Sequence, residues 1–248
     1  MEGRQRPRRG GGGPSGSTLT NLDALLQKFT WKSASNKGQQ QVFLVASGAY
    51  APIHNMHLHM MEVAKTWLEV HKGWHVCGGL ICPAGDGYVA KKLKGEHIPE
   101  QERLQVCRLA VQNSDWLTTG RVAKGVWVCG ADHALRRNLF LSQRQTFFIV
   151  IIGREDGSST ANLKKAMLHH QHQHKTLPTN LFLVESLSQG GEEGAKEEER
   201  AKRVWQDFQE YSYLSSTLVR QFMRQEASLR GLVPDVVAEY LEQRQQHH

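Results

Sequence analysis

Two histidines stand three residues apart where an apolar run gives way to a helical pattern. The segment reads Ser47-Gly48-Ala49-Tyr50-Ala51-Pro52-Ile53-His54-Asn55-Met56-His57. Since residues at i and i+3 share one face of a helix, the imidazoles of His54 and His57 should lie together on its first turn. Gly48 lets a ligand approach the backbone closely, and a helix N-terminus presents unpaired N–H groups and partial positive charge. The pattern predicts a site for the α-phosphate of a nucleoside triphosphate, in preference to two incidental histidines.

A second polar cluster, Ser215-Ser216-Thr217-Leu218-Val219-Arg220, precedes the last helical patterns of the chain. Ser216 or Thr217 can cap a helix and offer a hydroxyl to a phosphate. Arg220 is three residues after Thr217 and therefore lies on the same face of the helix, where it adds a bidentate donor. The alternative is an ordinary cap beside a surface arginine. An upstream copy, Ser158-Ser159-Thr160, lacks an arginine at the matching position, so we predict that the downstream cluster is the functional one.

The elements that must position these residues alternate along the chain. Short apolar runs bounded by turn residues predict strands, and amphipathic patterns between and after them predict helices. Such alternation is typical of an α/β fold, here a Rossmann-like, mainly parallel sheet with helices on both faces. Ligands bind such sheets at the carboxyl ends of the strands. The strands are predicted at Val42–Ala46, His75–Cys82, Val126–Cys129, Phe147–Ile152 and Leu181–Val184, and the helices at Met56–Val70, Glu100–Gln112, Asn162–His170, Ser216–Gln225 and Pro234–Gln245.

Length and composition predict a single α/β domain over residues 40–248. A Gly- and Arg-rich arm with its lead-in (residues 1–39) precedes it, and a charged insertion near residues 189–203 interrupts it. We expect the insertion to be an exposed loop or the frayed start of a helix. We predict a cytoplasmic or nuclear protein, although the Arg-rich arm also fits an organellar targeting signal.

The net charge of +7, from 31 Lys and Arg against 24 Asp and Glu, indicates an anionic partner. The chain lacks a basic-aromatic pattern for nucleic acid and an apolar run long enough for a membrane span, so both partners are disfavoured. The four cysteines lack C-x-x-C spacing and are predicted to be reduced, buried thiols of an intracellular protein. No metal-ligand set is predicted.

The first motif resembles the G-x-(F/Y)-x-P-(I/T)-(H/T)-x-x-H signature of the nucleotidyltransferase α/β phosphodiesterases, and the second resembles their S-S-T-x-x-R signature. The chain is most similar to the eukaryotic nicotinamide/nicotinic acid mononucleotide adenylyltransferases, over residues 40–245. Further segments carry this resemblance: Asn55-Met56-His57-Leu58, Glu62-Val63-Ala64-Lys65, Gly79–Tyr88, Cys129-Gly130-Ala131-Asp132, Leu232-Val233-Pro234-Asp235 and Tyr240-Leu241-Glu242.

The resemblance implies adenylyl transfer from ATP to nicotinamide or nicotinic acid mononucleotide, with release of pyrophosphate and with Mg²⁺ bound to the nucleotide. His57 would contact the α-phosphate, and His54 and Arg220 the β- and γ-phosphates. Small-molecule nucleotides would be its partners, and a homo-oligomer is expected. The remaining residues implied for ATP are Gly48, Ala49, Tyr50, Gly130, Asp132, Ser215, Ser216 and Thr217, and those for the mononucleotide are Ser47 and either Lys91 or Lys92.

One departure from this family affects the acceptor half of the site. Relatives carry a strand, an Asp-x-Trp-Glu segment and a long helix before C-G-A-D, whereas here only Leu117–Val128 intervene. If Trp116–Thr118 and Val126–Cys129 are neighbouring parallel strands, about seven residues link them, whereas a parallel crossover needs a dozen or more. Either one strand is lost or the local topology differs. We therefore predict ATP binding with impaired or absent turnover. A nucleotide-binding relative without activity and a transferase with another acceptor are the alternatives.

Overall fold

A computed structural model describes residues 39–94, 96, 98–120, 125–141, 148–154, 158–174, 180–187 and 195–246. The N-terminal arm and the first half of the charged insertion lie outside these ranges, so the domain boundaries stay predictions. Of the two alternatives for the insertion, its second half follows the helical one, because it forms the start of a helix, Ala195–Glu210, in which Ala201 is fully buried.

Six parallel strands form one sheet in the order β3-β2-β1-β4-β5-β6. Each of the five strand pairings is parallel, which confirms the predicted α/β class with its parallel sheet. The strand order reverses direction between β1 and β4, and in doubly wound sheets ligands bind at such a switch point. The strands are β1 (Gln41–Gly48), β2 (His75–Pro83), β3 (Leu117–Thr119), β4 (Val126–Gly130), β5 (Ile149–Ile152) and β6 (Leu181–Val184).

Helices cover both faces of the sheet, because successive strand side chains point to opposite sides. Leu44 and Ala46 of β1 pack in the larger core with α1, α3, α6, α7 and α8, while Ile149 and Ile151 of β5 pack with α4 and α5. Within the described residues, no helix is long and apolar enough to cross a membrane. The helices are α1 (Asn55–Lys72), α2 (Asp86–Leu93), α3 (Glu100–Ala110), α4 (Ala131–Arg136), α5 (Ser158–His174), α6 (Ala195–Glu210), α7 (Ser216–Arg224) and α8 (Asp235–Gln245).

All five predicted strands and all five predicted helices are present, with shifted ends. Three helices that the patterns did not predict also occur: α2, α4 and α6. α2 and α4 are short, and Val89 is the one buried residue of α2, so neither has an apolar stripe long enough to be recognised. The many charged residues of α6 obscure its helical pattern in the sequence, although Ala201 and Phe208 form a buried face.

The short link between β3 and β4 does not join neighbouring strands. β3 pairs with β2 at one edge of the sheet, and β4 pairs with β1 on the other side of the switch point. Leu117–Thr119 and Val126–Gly130 are both strands, and because they are not neighbours, the crossover requirement does not apply to the link between them. Three strand spacings amount to about 14 Å, and the seven peptide steps from Thr119 to Val126 reach about 24 Å when extended. The chain between the two strands is therefore long enough to connect them across the sheet.

This link runs very close to β1 at Gly125. A Cβ atom at Gly125 would lie 2.6 Å from Cγ2 of Val45 and 3.1 Å from the carbonyl oxygen of Phe43. Because the second contact is with backbone, the neighbour cannot move away by changing its rotamer. Glycine is therefore the residue that allows the link to pass.

We expect Gly125→Ala to lower the free energy of unfolding by about 1–3 kcal/mol through this overlap. Urea denaturation followed by circular dichroism measures the change. Gly87→Ala is the matched control, since a Cβ there meets no atom within 4 Å. Equal midpoints for the two variants would contradict the proposed close passage.

Candidate active site

A cavity of about 350 Å³ opens at the carboxyl ends of β1 and β4, where the strand order reverses. Its walls come from the β1–α1 loop, the first turn of α1, the ends of α2 and β5, and the beginnings of α4 and α7. The two motifs singled out in the sequence therefore meet in one place, although about 160 residues separate them.

The β1–α1 loop turns sharply at Tyr50, which has a left-handed φ of 44° and is buried. The ring of Tyr50 folds back over Gly48, where a Cβ would lie 3.1 Å from Cζ of that ring. Gly48 was expected to make room for a ligand, and in the structure it also makes room for this tyrosine. The carbonyl of Gly48 accepts a hydrogen bond from the N–H of Ala84 at 2.8 Å, which ties the loop to the end of β2.

The rings of His54 and His57 lie together at the start of α1, as predicted. The centroids of the two rings are 3.8 Å apart. The ring of Tyr50 meets that of His57 edge to face, with 4.8 Å between their centroids. The backbone N–H of His54 donates to Nδ1 of His57 at 3.2 Å. An imidazole nitrogen that accepts a hydrogen bond carries no proton, so the proton of neutral His57 resides on Nε2. Both histidines line the cavity.

Both imidazoles are neutral at physiological pH. Burial lowers the pKa of His57 to about 3, with Arg154 and Lys92 contributing further. Burial also holds the pKa of His54 well below its usual value, assisted by His57 and Arg154. Burial disfavours the charged form of an imidazole, and nearby cations act in the same direction. These histidines therefore offer hydrogen bonds to an anion without carrying a charge of their own.

The N-terminus of α7 docks on the β1–α1 loop. Ser216 Oγ donates to the carbonyl of Pro52 at 2.9 Å, and Arg220 Nη1 donates to the carbonyl of Ala51 at 2.9 Å. Arg220 Nη2 also donates to Thr217 Oγ1 at 3.3 Å. The predicted cap is wrong by one residue, because Ser215 caps the helix by accepting from Leu218 N–H at 3.2 Å. Ser216 is thereby free to hold the loop.

On the other wall, Asp132 at the start of α4 is paired with Arg136 at 2.9 Å. Of the two lysines left open by the sequence, Lys92 lines the cavity, whereas Lys91 is not among the lining residues. Apart from Lys91, the structure brings all the predicted site residues into the lining of this cavity: Ser47, Gly48, Ala49, Tyr50, His54, His57, Lys92, Gly130, Asp132, Ser215, Ser216, Thr217 and Arg220.

Arg154 is a cavity residue that the sequence reasoning missed. It follows β5, and its Nη1 donates to the carbonyl of Ser212 at 2.9 Å. Thr160, from the upstream serine-threonine copy, accepts from the backbone N–H of Arg154 at 2.9 Å and is buried. Thr160 of that copy therefore fixes the backbone of a cavity arginine. Arg154 follows a predicted strand, and this position was the signal that could have identified it as a cavity residue.

Arg103 of α3 is fully buried and supports the loop from behind. Its Nη1 donates to the carbonyl of Ala49 and its Nε to that of Ile98, at 2.9 and 2.8 Å. Nη2 pairs with Asp86 at 2.9 Å, at the start of α2. One guanidinium thus joins the β1–α1 loop to the helix that carries Lys92. Its pattern in the sequence is that of an ordinary amphipathic helix, so no local signal marked it.

Comparisons with known proteins agree with the motifs. No family model matches the chain. The chain is 38% identical over 76 residues to nicotinamide/nicotinic acid mononucleotide adenylyltransferase 2 of Danio rerio, which covers 31% of this chain and 24% of that protein. It is 35% identical over 106 residues to the Arabidopsis thaliana nicotinamide/nicotinic acid mononucleotide adenylyltransferase, which covers 43% of this chain and 40% of that one. The resemblance to this family is confirmed.

The chain spans only 24% and 40% of the length of these two adenylyltransferases, so their activity is a proposal for this protein. A solved structure, a putative nicotinate-nucleotide adenylyltransferase from Vibrio parahaemolyticus, superposes with a TM-score of 0.38 and 9% identity. That superposition covers 82% of this chain and 99% of that one.

The lowered pKa of His57 predicts a pH dependence of stability. An unfolded histidine titrates near 6.5, whereas folded His57 does so at about 3. As the pH falls below about 6.5, the unfolded state binds the proton first, so the free energy of unfolding decreases until about pH 3. We expect His57→Asn to reduce the slope of the free energy of unfolding against pH by the amount that corresponds to about one bound proton.

Urea titrations at a series of pH values measure the slope. His172→Asn, at an exposed position on α5, is the control for the same substitution outside the cavity. Identical slopes for the wild type and His57→Asn would show that His57 is not held in its neutral form by folding.

Proposed function

We propose that this chain binds ATP in the cavity and transfers its adenylyl group to nicotinamide or nicotinic acid mononucleotide, releasing pyrophosphate. The observation that carries the proposal is the meeting of His54 and His57 with the Ser215–Arg220 helix start around one cavity at the switch point of the sheet. The similarity to adenylyltransferases supports the same reaction.

The charge of the cavity suits two phosphate-bearing substrates. Its lining contains the cations Lys92, Arg136, Arg154 and Arg220 and the carboxylate of Asp132, which pairs with Arg136. Preorganised cations and N–H donors stabilise the charge that develops as a phosphoryl-type group is transferred. Such reactions depend mainly on positioning and charge neutralisation, which matches what these side chains offer.

In the proposed reaction, a phosphate oxygen of the mononucleotide attacks the α-phosphorus of ATP. The new P–O bond forms as the bond from the α-phosphorus to the bridging oxygen breaks, and the bond electrons leave with pyrophosphate. The attacking oxygen is already anionic, so no base is needed to remove a proton. His57 contributes its Nε2–H to the α-phosphate, while His54, Ser216, Thr217 and Arg220 hold the outer phosphates.

Mg²⁺ fits this site as a companion of the nucleotide. Among the described residues no group of three or more His, Cys, Asp or Glu could hold a metal ion, and Asp132 is already paired with Arg136. Mg²⁺ is usually bound through substrate phosphates with few protein ligands. When bound there, it would neutralise charge on the leaving pyrophosphate. The protein's own part is to hold the phosphates with Arg220 and the two histidines.

The acceptor half supports a second candidate, a nucleotide-binding relative with weak or no turnover. Ser47 and Lys92 line the cavity and are the residues we propose for the mononucleotide phosphate. None of the described residues that line the cavity is a tryptophan, and residues 120–125, which separate β3 from β4, are few in number for a wall over a pyridine ring. We propose the enzyme as the leading function and reduced turnover as its consequence.

The proposed partners are small-molecule nucleotides rather than nucleic acid or a membrane. A homo-oligomer and a cytoplasmic or nuclear location remain predictions from the sequence and the family resemblance.

We expect the full chain to bind ATP, and the His57→Ala and Arg220→Lys variants to bind it at least about tenfold more weakly, since each loses a hydrogen bond to a charged group. Isothermal titration calorimetry with Mg²⁺ present measures this. Glu102→Gln, which alters an ion pair outside the cavity lining, should bind as the wild type does. Equal affinity in all four proteins would refute the proposed phosphate site.

Turnover is tested separately by chromatographic detection of dinucleotide and pyrophosphate, with each of the two mononucleotides as acceptor. We expect product formation well below that of an ordinary member of the family, and none from His57→Ala. Activity near that of an ordinary member would contradict the predicted impairment while supporting the reaction. Binding without product with either acceptor would favour the non-catalytic relative.

A further inference from the structure

One carboxylate lies directly on the arginine assigned to the outer phosphates. Glu96, in the segment between α2 and α3, accepts from Arg220 Nε at 3.2 Å through Oε2. Its other oxygen accepts from Arg224 Nη1, one turn further along α7, at 2.9 Å. The two arginines and the glutamate are separated by more than 120 residues in sequence, so the contact exists only in the folded chain. Glu96 is not among the residues that line the cavity.

Glu96 is not required to hold Arg220 in position. The guanidinium already donates to the carbonyl of Ala51 at 2.9 Å and to Thr217 Oγ1 at 3.3 Å. The Arg220 side chain is 11% exposed, whereas that of Glu96 is 53% exposed. The arginine is therefore held by the protein, whereas the half-exposed carboxylate is held through its contacts with Arg220 and Arg224.

The contact is electrostatically opposed to phosphate binding. A carboxylate beside Arg220 satisfies its Nε and lowers the positive potential that the outer phosphates would meet. A triphosphate carries several negative charges into the same region, so it both competes for the guanidinium and repels the carboxylate. An exposed ion pair is weak, which means that a polyanion can replace it at small cost.

We propose that Glu96 is an internal counter-ion that occupies Arg220 in the free protein and is displaced by the β- and γ-phosphates of ATP. The proposal rests on the function given above, in which Arg220 holds those phosphates. Glu96 then lowers the affinity for every ligand with an outer phosphate chain. It leaves a ligand with an α-phosphate alone unaffected, because such a ligand does not reach Arg220.

The test compares the wild type with Glu96→Gln, which removes the charge but keeps the size of the side chain. Inorganic tripolyphosphate, ATP and AMP are titrated calorimetrically into the full chain at low and at moderate salt. We expect Glu96→Gln to bind tripolyphosphate and ATP about two- to fivefold more tightly at low salt. The gain should shrink as salt screens exposed charges, and AMP should bind as in the wild type.

Two controls isolate the effect of the charge. Glu96→Asp keeps the carboxylate and should stay close to the wild type. Glu102→Gln removes the ion pair of Glu102 with Arg244, at 3.0 Å between α3 and α8, and should leave all three affinities unchanged. Thermal unfolding of each free variant checks that the fold is intact.

The outcomes separate this inference from the function on which it rests. If the wild type binds ATP and tripolyphosphate and Glu96→Gln binds them equally well, Glu96 does not compete with phosphate and the counter-ion role is wrong. If Glu96→Gln binds them more weakly, Glu96 positions Arg220 and the counter-ion role is wrong as well. If Glu96→Gln also tightens AMP, the effect is a general one of charge, and displacement from Arg220 is wrong. If the wild type binds neither ATP nor tripolyphosphate, the proposed function falls and this inference falls with it.

Discussion

The β1–α1 loop is held by side chains and backbone that come from distant parts of the chain. Without these donors, its carbonyl groups would be buried without hydrogen bonds, which costs about 1–3 kcal/mol each. With them, the loop is fixed relative to β2, α3 and α7 at once. Four carbonyls and their donors make up this arrangement: Gly48 with Ala84 N–H, Ala49 with Arg103, Ala51 with Arg220, and Pro52 with Ser216.

This constraint explains why the site forms at the switch point. The loop leaves β1 and enters α1 at His54, where the backbone N–H of Asn55 donates to the carbonyl of Leu232 at 3.1 Å. The entry angle of α1 is thereby set by the segment before α8 as well as by β1. His57 follows one turn later with its tautomer chosen by the backbone of His54. The position and the tautomer of the candidate catalytic histidine are both consequences of how the loop is held.

Sequence reasoning recovered what local patterns determine. The alternating apolar runs predicted five of the strands, and H-x-x-H after a glycine turn predicted the histidine pair. Arg103 and Glu96 could not be predicted, since their partners lie 54 and 124 residues away and nothing local distinguishes them from surface charges. The cap at Ser215 was missed because Ser215, Ser216 and Thr217 are equally good caps by sequence. Only the contact of Ser216 with the β1–α1 loop distinguishes them.

β3 shows the same limit for the fold. Its three residues are too few for a recognisable strand pattern, and the crossover rule assumed that β3 and β4 were neighbours. The rule was sound, and only the assumed adjacency was wrong. Whether two strands are neighbours depends on the order of the strands across the sheet. Here the link between them is only a few residues long, and it is compatible with this order because Gly125 lies very close to β1.

The docking of α7 on the loop has a consequence for folding. Ser216 and Arg220 contact residues 164 and 169 positions earlier, so the pocket is complete only after the two ends of the domain have met. A ligand that needs both walls binds the native state and not partly assembled forms, and it stabilises by RT ln(1 + [L]/Kd). A nucleotide would thus act on this chain as a clamp between its ends, and the rise in melting temperature that it causes would report closure of the domain.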